Sequence, residues 1–427
     1  MDENNAMKFL VKDALIFMDI ANALADKGNN EVFYFTNWQT GYPLFKDFCT
    51  GLDFEYLKKK NKHGNPLLFW EEVMKKDWDC VANFDVHNQD EIFALRQLFP
   101  NKSIWGAGRG EVLEADRIIL KQWIETLGLP VNPYKVVKGV TALRSYIKDN
   151  PNKYVKINIF RGDCESFCAK DIDYNRADFL KLEINLGAKA EDVLFIVEDP
   201  IDTEVEVGYD GFFNGHSYSD KCFLGVEYHK NLYIARVMDY DELPEPIYET
   251  LEAFSSLLEK MDYRGAISTE EKIVSFKEHY LIDVCSRLPS PLSALYPQFI
   301  NNWAELVYKT GKKENCPLDI DVKYVGAFAL ESKRGEQEYL PILIKPSDRD
   351  KIKFQSACMV GDKYHSVKGN SIIATIVVGG DNPDECLEKI KEYSKLIDVP
   401  NLQYDDINGI DKIKEVLKKC KDVGISI

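Results

Sequence analysis

The sequence predicts a mixed α/β (α+β) protein with an N-terminal βαβ domain, a larger central unit and a C-terminal αβ domain. Three observations support this. The first 110 residues or so alternate short apolar strands with amphipathic helices. The stretch Tyr263 to Pro291, YRGAISTEEKIVSFKEHYLIDVCSRLPSP, reads as two adjacent antiparallel strands. From Leu318 to Ile427, strand signals and a helix form one more αβ unit. At 427 residues the chain is too long for a single core. The expected divisions are 1–112, 113–316 and 317–427.

Within the first division MKFLV, EVFYFT, CVANF and SIWGAG read as strands. Ala14 to Ala25, Leu68 to Lys75 and Asp90 to Phe99 carry helical periodicity. This rhythm implies a small parallel sheet with helices on both faces. The run GAGRG at Gly106 to Gly110 follows a strand, but Glu111 stands where a dinucleotide fingerprint needs its third glycine. It therefore reads as a turn, which argues against an NAD-linked enzyme.

Glu111 to Val131 reads as one amphipathic helix ended by Gly128 and Pro130. Arg117 and Lys121 lie on it, and solvated cations are the simplest account of such residues. A helix over Thr141 to Asp149 precedes the strand Tyr154 to Phe160. That strand carries Lys156 in an apolar setting, where an unpaired ammonium is costly. A lysine that snorkels from an edge strand is the alternative. The sequence VLFIVEDPIDTEVEVGYDGFF then gives a strand ending at Glu198-Asp199-Pro200 and a second beginning at Val205.

In the paired strands, alternation puts Leu281, Asp283, Cys285 and Arg287 on one face. A turn centred on Lys277 sets Glu271 directly across from Asp283. Two facing carboxylates repel unless a cation lies between them. Hard oxygen donors beside an arginine suggest Mg²⁺ and phosphate; two solvated acids on an exposed sheet face are the alternative. A helix at about Pro297 to Thr310 follows. VKYVGAFAL, YLPILIKP and SIIATIVVGG then read as strands and Pro383 to Leu396 as a helix.

Hydrophobic content of 45% and charged content of 29% are ordinary for a globular protein. The net charge of −16 argues against nucleic acid or an anionic membrane as a partner. No apolar run is long enough to span a bilayer, and MDENNAMKFL lacks signal-peptide features. Ten cysteines without paired CxxC spacing read as thiols in a reducing cytoplasm. Six histidines include no HExxH pattern. Nothing in the sequence bears on oligomeric state.

The strand, turn, acid-x-x-x-Arg and Pro-Ser-Pro sequence resembles the metal-binding strand of ATP-grasp ligases. It is most similar to that of phosphoribosylamine–glycine ligases, whose pattern is E-x-N-x-R-x-G-D-P. The resemblance covers nearly the whole chain in domain order. It implies an ATP-grasp fold and ATP with Mg²⁺ as cofactors. It also implies amide formation between a small carboxylate and an amine through an acyl phosphate. Asp283 and Glu271 would hold the metal, and Lys156 and Arg287 would serve the chemistry. Arg117, Lys156, Arg161, Gly162, Glu198 and Glu206 would bind nucleotide: Arg161 to Ser166 as the phosphate-covering loop, Glu198 at the hinge, Glu206 on the ribose. Two departures stand out. Cys285 replaces the pattern's asparagine, and KDALIF replaces a glycine-rich first loop. The second argues against phosphoribosylamine as substrate. A nucleotide-binding or scaffold protein that kept the fold and lost the chemistry is the rival reading.

Overall fold

The structure, a computed structural model, describes all residues except 1–5, 14–17, 27–29, 37–60, 65, 160–165, 229–230, 291, 356, 361–362 and 404–408. Strands β1 (Lys8–Asp13), β2 (Glu31–Thr36), β3 (Asn61–Gly64), β4 (Cys80–Asn83) and β5 (Ser103–Trp105) form a parallel sheet in the order β3-β2-β1-β4-β5. Phe9 and Val11 pack toward α1 (Met18–Asp26) and the helix Trp303–Gly311. Leu10 packs on the other side, with Phe69, Val73, Ile92 and Leu95 of α2 (Pro66–Lys75) and α3 (Gln89–Leu98). Burial on both faces is why the strands read as unbroken apolar runs. Strand order reverses between β1 and β4, where Lys12 lies beside Asn83. In open α/β sheets that reversal opens a crevice at the strands' carboxyl ends. The Gly106 to Gly110 run, expected as a turn, is instead an isolated bridge from Gly106 to Arg264 followed by a 3₁₀ helix over Gly108–Glu111, with Gly106 and Gly108 at φ of +152° and +57°.

The single helix expected over Glu111 to Val131 is broken in two. The segment α4 (Val112–Ala115) stops at Asp116, whose backbone is extended and whose carboxylate accepts from Ile119 N at 3.0 Å. That cap starts α5 (Arg117–Thr126) in a new direction. The break lets Glu114 and Arg117 face different walls of the same site.

Next comes a small antiparallel sheet of β6 (Tyr134–Lys138), β7 (Lys153–Ile157), β8 (Ser166–Ala169) and β9 (Leu194–Glu198), in the order β6-β9-β7-β8. One face buries Val155, Ile157, Phe195 and Val197 against α6 (Val140–Asp149) and α7 (Arg176–Leu186). Alternation sends Lys156 and Glu198 to the other face.

The largest sheet contains β10 (Glu206–Phe213), β11 (Lys221–Tyr228), β12 (Leu232–Asp239), β13 (Gly265–Ser275), β14 (Glu278–Cys285) and β15 (Tyr324–Glu331). Its full order is β14-β13-β10-β11-β12-β15-β20-β17, with β17 (Ile352–Lys353) and β20 (Ile372–Gly380) from the C-terminal part. One face buries Val207, Tyr209, Ile267 and Ile273 with Ile247, Leu251, Phe254 and Leu258 of α8 (Glu245–Lys260). The opposite face of β10 to β14 carries the acidic residues considered below. The helix expected over Pro297 to Thr310 is also split, into Tyr296–Phe299 and α9 (Trp303–Gly311).

The C-terminal part adds a second small sheet of β16 (Pro341–Ile344), β18 (Ala357–Val360), β19 (Lys363–Ser366) and β21 (Ile397–Asp398), and α10 (Pro383–Tyr393) on β15 and β20. A buried pair ties it to the first domain: Arg349 Nη2 donates to Asp19 Oδ2 at 2.8 Å, and Phe354 N donates to the same oxygen at 2.6 Å. Among the described residues no helix is long and apolar enough to cross a membrane.

Candidate functional site

Pairing across the large sheet decides which side chains share the site. The tight turn between β13 and β14 centres between Phe276 and Lys277, so Ser275 pairs with Glu278. Glu270, not Glu271, therefore lies opposite Asp283. This corrects the expected Glu271–Asp283 pair: a one-residue slip turns every side chain to the other face. Glu271 is fully buried on the α8 side, where His279 Nδ1 lies 3.1 Å from its Oε2. Burial, only partly offset by His279 and Thr250, raises the Glu271 pKa.

A bulge follows, with Glu271 opposite Leu281 and Ile282 left out of register. The Ile282 carbonyl accepts instead from Lys156 Nζ at 3.0 Å. The expected strand lysine thus reaches from the small sheet to the bulge beside Asp283. Its ammonium also lies 3.2 Å from Glu198 Oε2. Burial works against its charge, but Glu198 and Asp283 outweigh that and hold its pKa above the ordinary value.

Lys121 is not a solvated cation. It is buried, and its Nζ meets Glu198 Oε1 at 2.6 Å. Burial alone would raise the Glu198 pKa, yet Lys156 and Lys121 together bring it below the usual value. Arg117, at the start of α5, donates to the Ile157 carbonyl at 2.7 Å and lies 4.0 Å from Asp283. Lys156 and Arg117, from two elements, therefore converge beside Asp283, and Lys121 shares Glu198 with Lys156.

Glu270, Asp283, Cys285 and Arg287 line one cavity of about 170 Å³, with Ser268, Glu206, Gly208 and Asp210 of the neighbouring strands. Arg287 Nε donates to Glu114 Oε1 at 3.0 Å, and Ser286 N donates to Glu114 Oε2 at 2.8 Å. The first domain closes this end, since Leu288 N donates to the Phe84 carbonyl just past β4. Burial, reinforced by Glu114, pushes the Cys285 thiol well up, so it stays protonated. Glu206 faces the cavity and pairs with Lys272 at 3.2 Å.

Of the residues expected from sequence, Lys156, Glu198, Arg117, Asp283, Arg287 and Glu206 fall around this cleft, and Glu271 does not. Arg161 and Gly162 lie outside the described residues, as do residues 14–17 of KDALIF. Sequence reasoning missed Glu270, Glu114 and Asp210. A turn one half-step earlier would have found Glu270, and the capping potential of Asp116 could have separated Glu114 from the next helix. Among the described residues no group of three or more His, Cys, Asp or Glu side chains is arranged to hold a metal. The facing Glu270 and Asp283 are hard oxygen donors. They fit Mg²⁺, which commonly takes one or two carboxylates together with substrate phosphates.

No protein-family model matches the chain, and no curated protein matches it significantly. Solved structures do. Phosphoribosylamine–glycine ligase from Thermotoga maritima superposes with a TM-score of 0.66 at 15% identity, covering 93% of this chain and 98% of that one. The chain has the ATP-grasp fold. Biotin carboxylase from Campylobacter jejuni, solved with a β,γ-ATP ligand, gives 0.65 at 11% identity over 97% of each chain. The biotin carboxylase domain of Hydrogenobacter thermophilus 2-oxoglutarate carboxylase, solved with MgADP, ADP and bicarbonate, gives 0.62 at 12% identity over 98% and 99%. Each of these ATP-grasp structures is covered over nearly its full length.

Proposed function

We propose that the protein is an ATP- and Mg²⁺-dependent carboxylate–amine ligase that forms an amide through an acyl phosphate. The observation that carries this reading is the convergence of Lys156 and Arg117 beside Asp283, which faces Glu270, with Lys121 paired to the same Glu198 as Lys156. Phosphoryl transfer requires charge neutralisation and alignment more than a general base, and both signs of charge meet here across a cleft. Glu270 and Asp283 would hold Mg²⁺, which when bound neutralises phosphate charge. Lys156 bridges the small sheet and the Ile282 carbonyl, so it would hold the phosphate chain against the large sheet. Glu206 would accept from the ribose hydroxyls. Arg287, with Nε fixed by Glu114, would orient the substrate carboxylate through its remaining N–H groups.

Phosphoribosylamine and glycine are not the expected pair, because KDALIF carries no glycine to bring backbone close to a phosphate. One observation favours the rival of a nucleotide-binding protein without chemistry: Glu198 already neutralises two of the cations. Calorimetry with MgATP, followed by phosphate release on adding pools of carboxylic acids and amines, separates the two. Binding with amine- and acid-dependent phosphate release supports the ligase. Binding without release supports the rival, and no binding at millimolar nucleotide overturns both.

A further inference from the structure

The cavity wall beyond the Glu270–Asp283 pair is made of groups that phosphoryl transfer does not require. Asp210 lies on β10 opposite Ser268 of β13, diagonal to Glu270, which puts the backbones of the two acids about 7–8 Å apart. It is more than nine-tenths buried and lines the cavity. Ser268 Oγ donates to Asp210 Oδ1 at 2.5 Å, Tyr233 OH donates to Oδ2, and Tyr296 adds a third hydroxyl. These donors are all neutral. Of the other acids of the cavity, Glu114 meets Arg287, Glu206 meets Lys272, Glu270 faces Asp283 and Glu227 lies opposite Tyr233 in the sheet.

The wall is shaped as well as charged. Gly208 and Gly225 pair side by side in the sheet floor. A Cβ on Gly225 would strike the Tyr233 ring at 2.6 Å, so this glycine lets the ring lie flat and carry its hydroxyl to Asp210. A Cβ on Gly208 would make ordinary contacts with the Thr269 and Gly225 carbonyl oxygens, at 3.6 and 3.9 Å, so a small side chain is tolerated there.

We propose that Asp210, Ser268, Tyr233 and Tyr296 form an ammonium-binding wall, so that the amine substrate enters as a primary alkylammonium ion. The inference rests on the ligase reading and names its second substrate class. An R–NH₃⁺ group carries three donors, and one carboxylate ringed by hydroxyl oxygens offers matching acceptors. The tyrosine rings add a face that attracts cations. Mg²⁺ fits less well, because phenol and serine hydroxyls are poor substitutes for the carboxylate, carbonyl and phosphate oxygens it takes.

Two measurements test this separately from the ligase reading. The first is the melting temperature at pH 7 with methylammonium chloride, against potassium, tetramethylammonium and magnesium chlorides at matched ionic strength. The parent gains stability with methylammonium over potassium and tetramethylammonium. Asp210→Asn loses that gain, and Tyr233→Phe, which keeps the ring and the fold, reduces it. Magnesium stabilises all three alike. No methylammonium-specific gain in the parent, an unchanged gain in both variants, or a magnesium gain lost in Asp210→Asn each overturns the proposal. The second uses hydroxylamine, uncharged at this pH, as nucleophile with MgATP and a panel of carboxylic acids. With any acid that yields a hydroxamate, Tyr233→Phe and Asp210→Asn keep hydroxamate formation within about twofold while KM for methylamine rises at least tenfold. Equal losses with both nucleophiles overturn the ammonium assignment. Absence of hydroxamate from the parent overturns the ligase reading instead, and the methylammonium result still decides whether the wall binds ammonium.

Discussion

Replacing Glu198 with glutamine isolates the charge that pins the small sheet to α5 and pairs with Lys156. Its oxygens lie 2.6 Å from Lys121 and 3.2 Å from Lys156. At an effective dielectric constant of about 20, those attractions are about 6 and about 5 kcal/mol before desolvation is subtracted. Breaking a buried pair while leaving its cation in place costs about 3–5 kcal/mol. For a protein of this size that is a fall in melting temperature of roughly 3–6 °C. Glu198→Gln keeps the shape and one acceptor, so the loss reports charge. Adding Lys121→Met removes one orphaned ammonium and should recover about half of it, a non-additivity read by a double-mutant cycle. The pH dependence has a definite sign. The Glu198 pKa is depressed in the folded state from its ordinary 4.5. Its stabilisation is therefore present above that value and lost as pH falls through the folded one. Parent and variant should converge on acidification. A variant within 2 °C of the parent, or a gap that persists to low pH, would refute the reasoning.

Other outcomes follow from the same geometry. Lys156→Ala should weaken MgATP binding by roughly 10–100-fold, from loss of a charge-assisted hydrogen bond, while remaining folded; calorimetry reads this, and unchanged affinity would remove Lys156 from the nucleotide site. Asp283→Asn should lower ATP-dependent turnover by at least about 10²-fold, measured as phosphate release, whereas Cys285→Asn, which supplies an oxygen donor beside it, should leave turnover equal or higher. In the buried Glu271–His279 contact the histidine pKa is raised: burial opposes its charge, but Glu271 and Glu249 outweigh it. Its stabilisation is present below the ordinary 6.5 and lost as pH rises through the folded value. Melting curves from pH 6 to 9 should therefore slope down in the parent and flatten in His279→Gln.

Residues with a strong period or an isolated anomaly were legible in the sequence. Lys156 stood out as an ammonium in an apolar strand, and the Asp283, Cys285, Arg287 alternation survived into the cavity wall. What failed depended on half-steps and breaks. Glu271 and Glu270 are adjacent carboxylates, and only the turn centre decides which faces Asp283; a two-residue turn and a bulge are each worth too little locally to be read with confidence from composition. Glu111 to Val131 kept helical periodicity across Asp116, so the cap that redirects the chain was hidden by good helix formers on both sides. Lys121 looked solvated because its counter-charge, Glu198, is distant in sequence and arrives only through the fold. Asp210 was obscured within a Tyr-Asp-Gly stretch typical of a turn, whereas the structure puts it mid-strand with its carboxylate in the cavity.

The adjacent pair Glu270 and Glu271 offers the most direct test of the site. Phosphate release from MgATP, measured for Glu270→Gln and Glu271→Gln under identical conditions with acids and amines that support parent turnover, separates the face that opens on the cavity from the face packed on α8. Glu270→Gln should lose at least about 10²-fold in rate. Glu271→Gln should turn over within a few-fold of the parent and change chiefly the pH dependence of melting. Loss of turnover in Glu271→Gln with retention in Glu270→Gln would contradict the account.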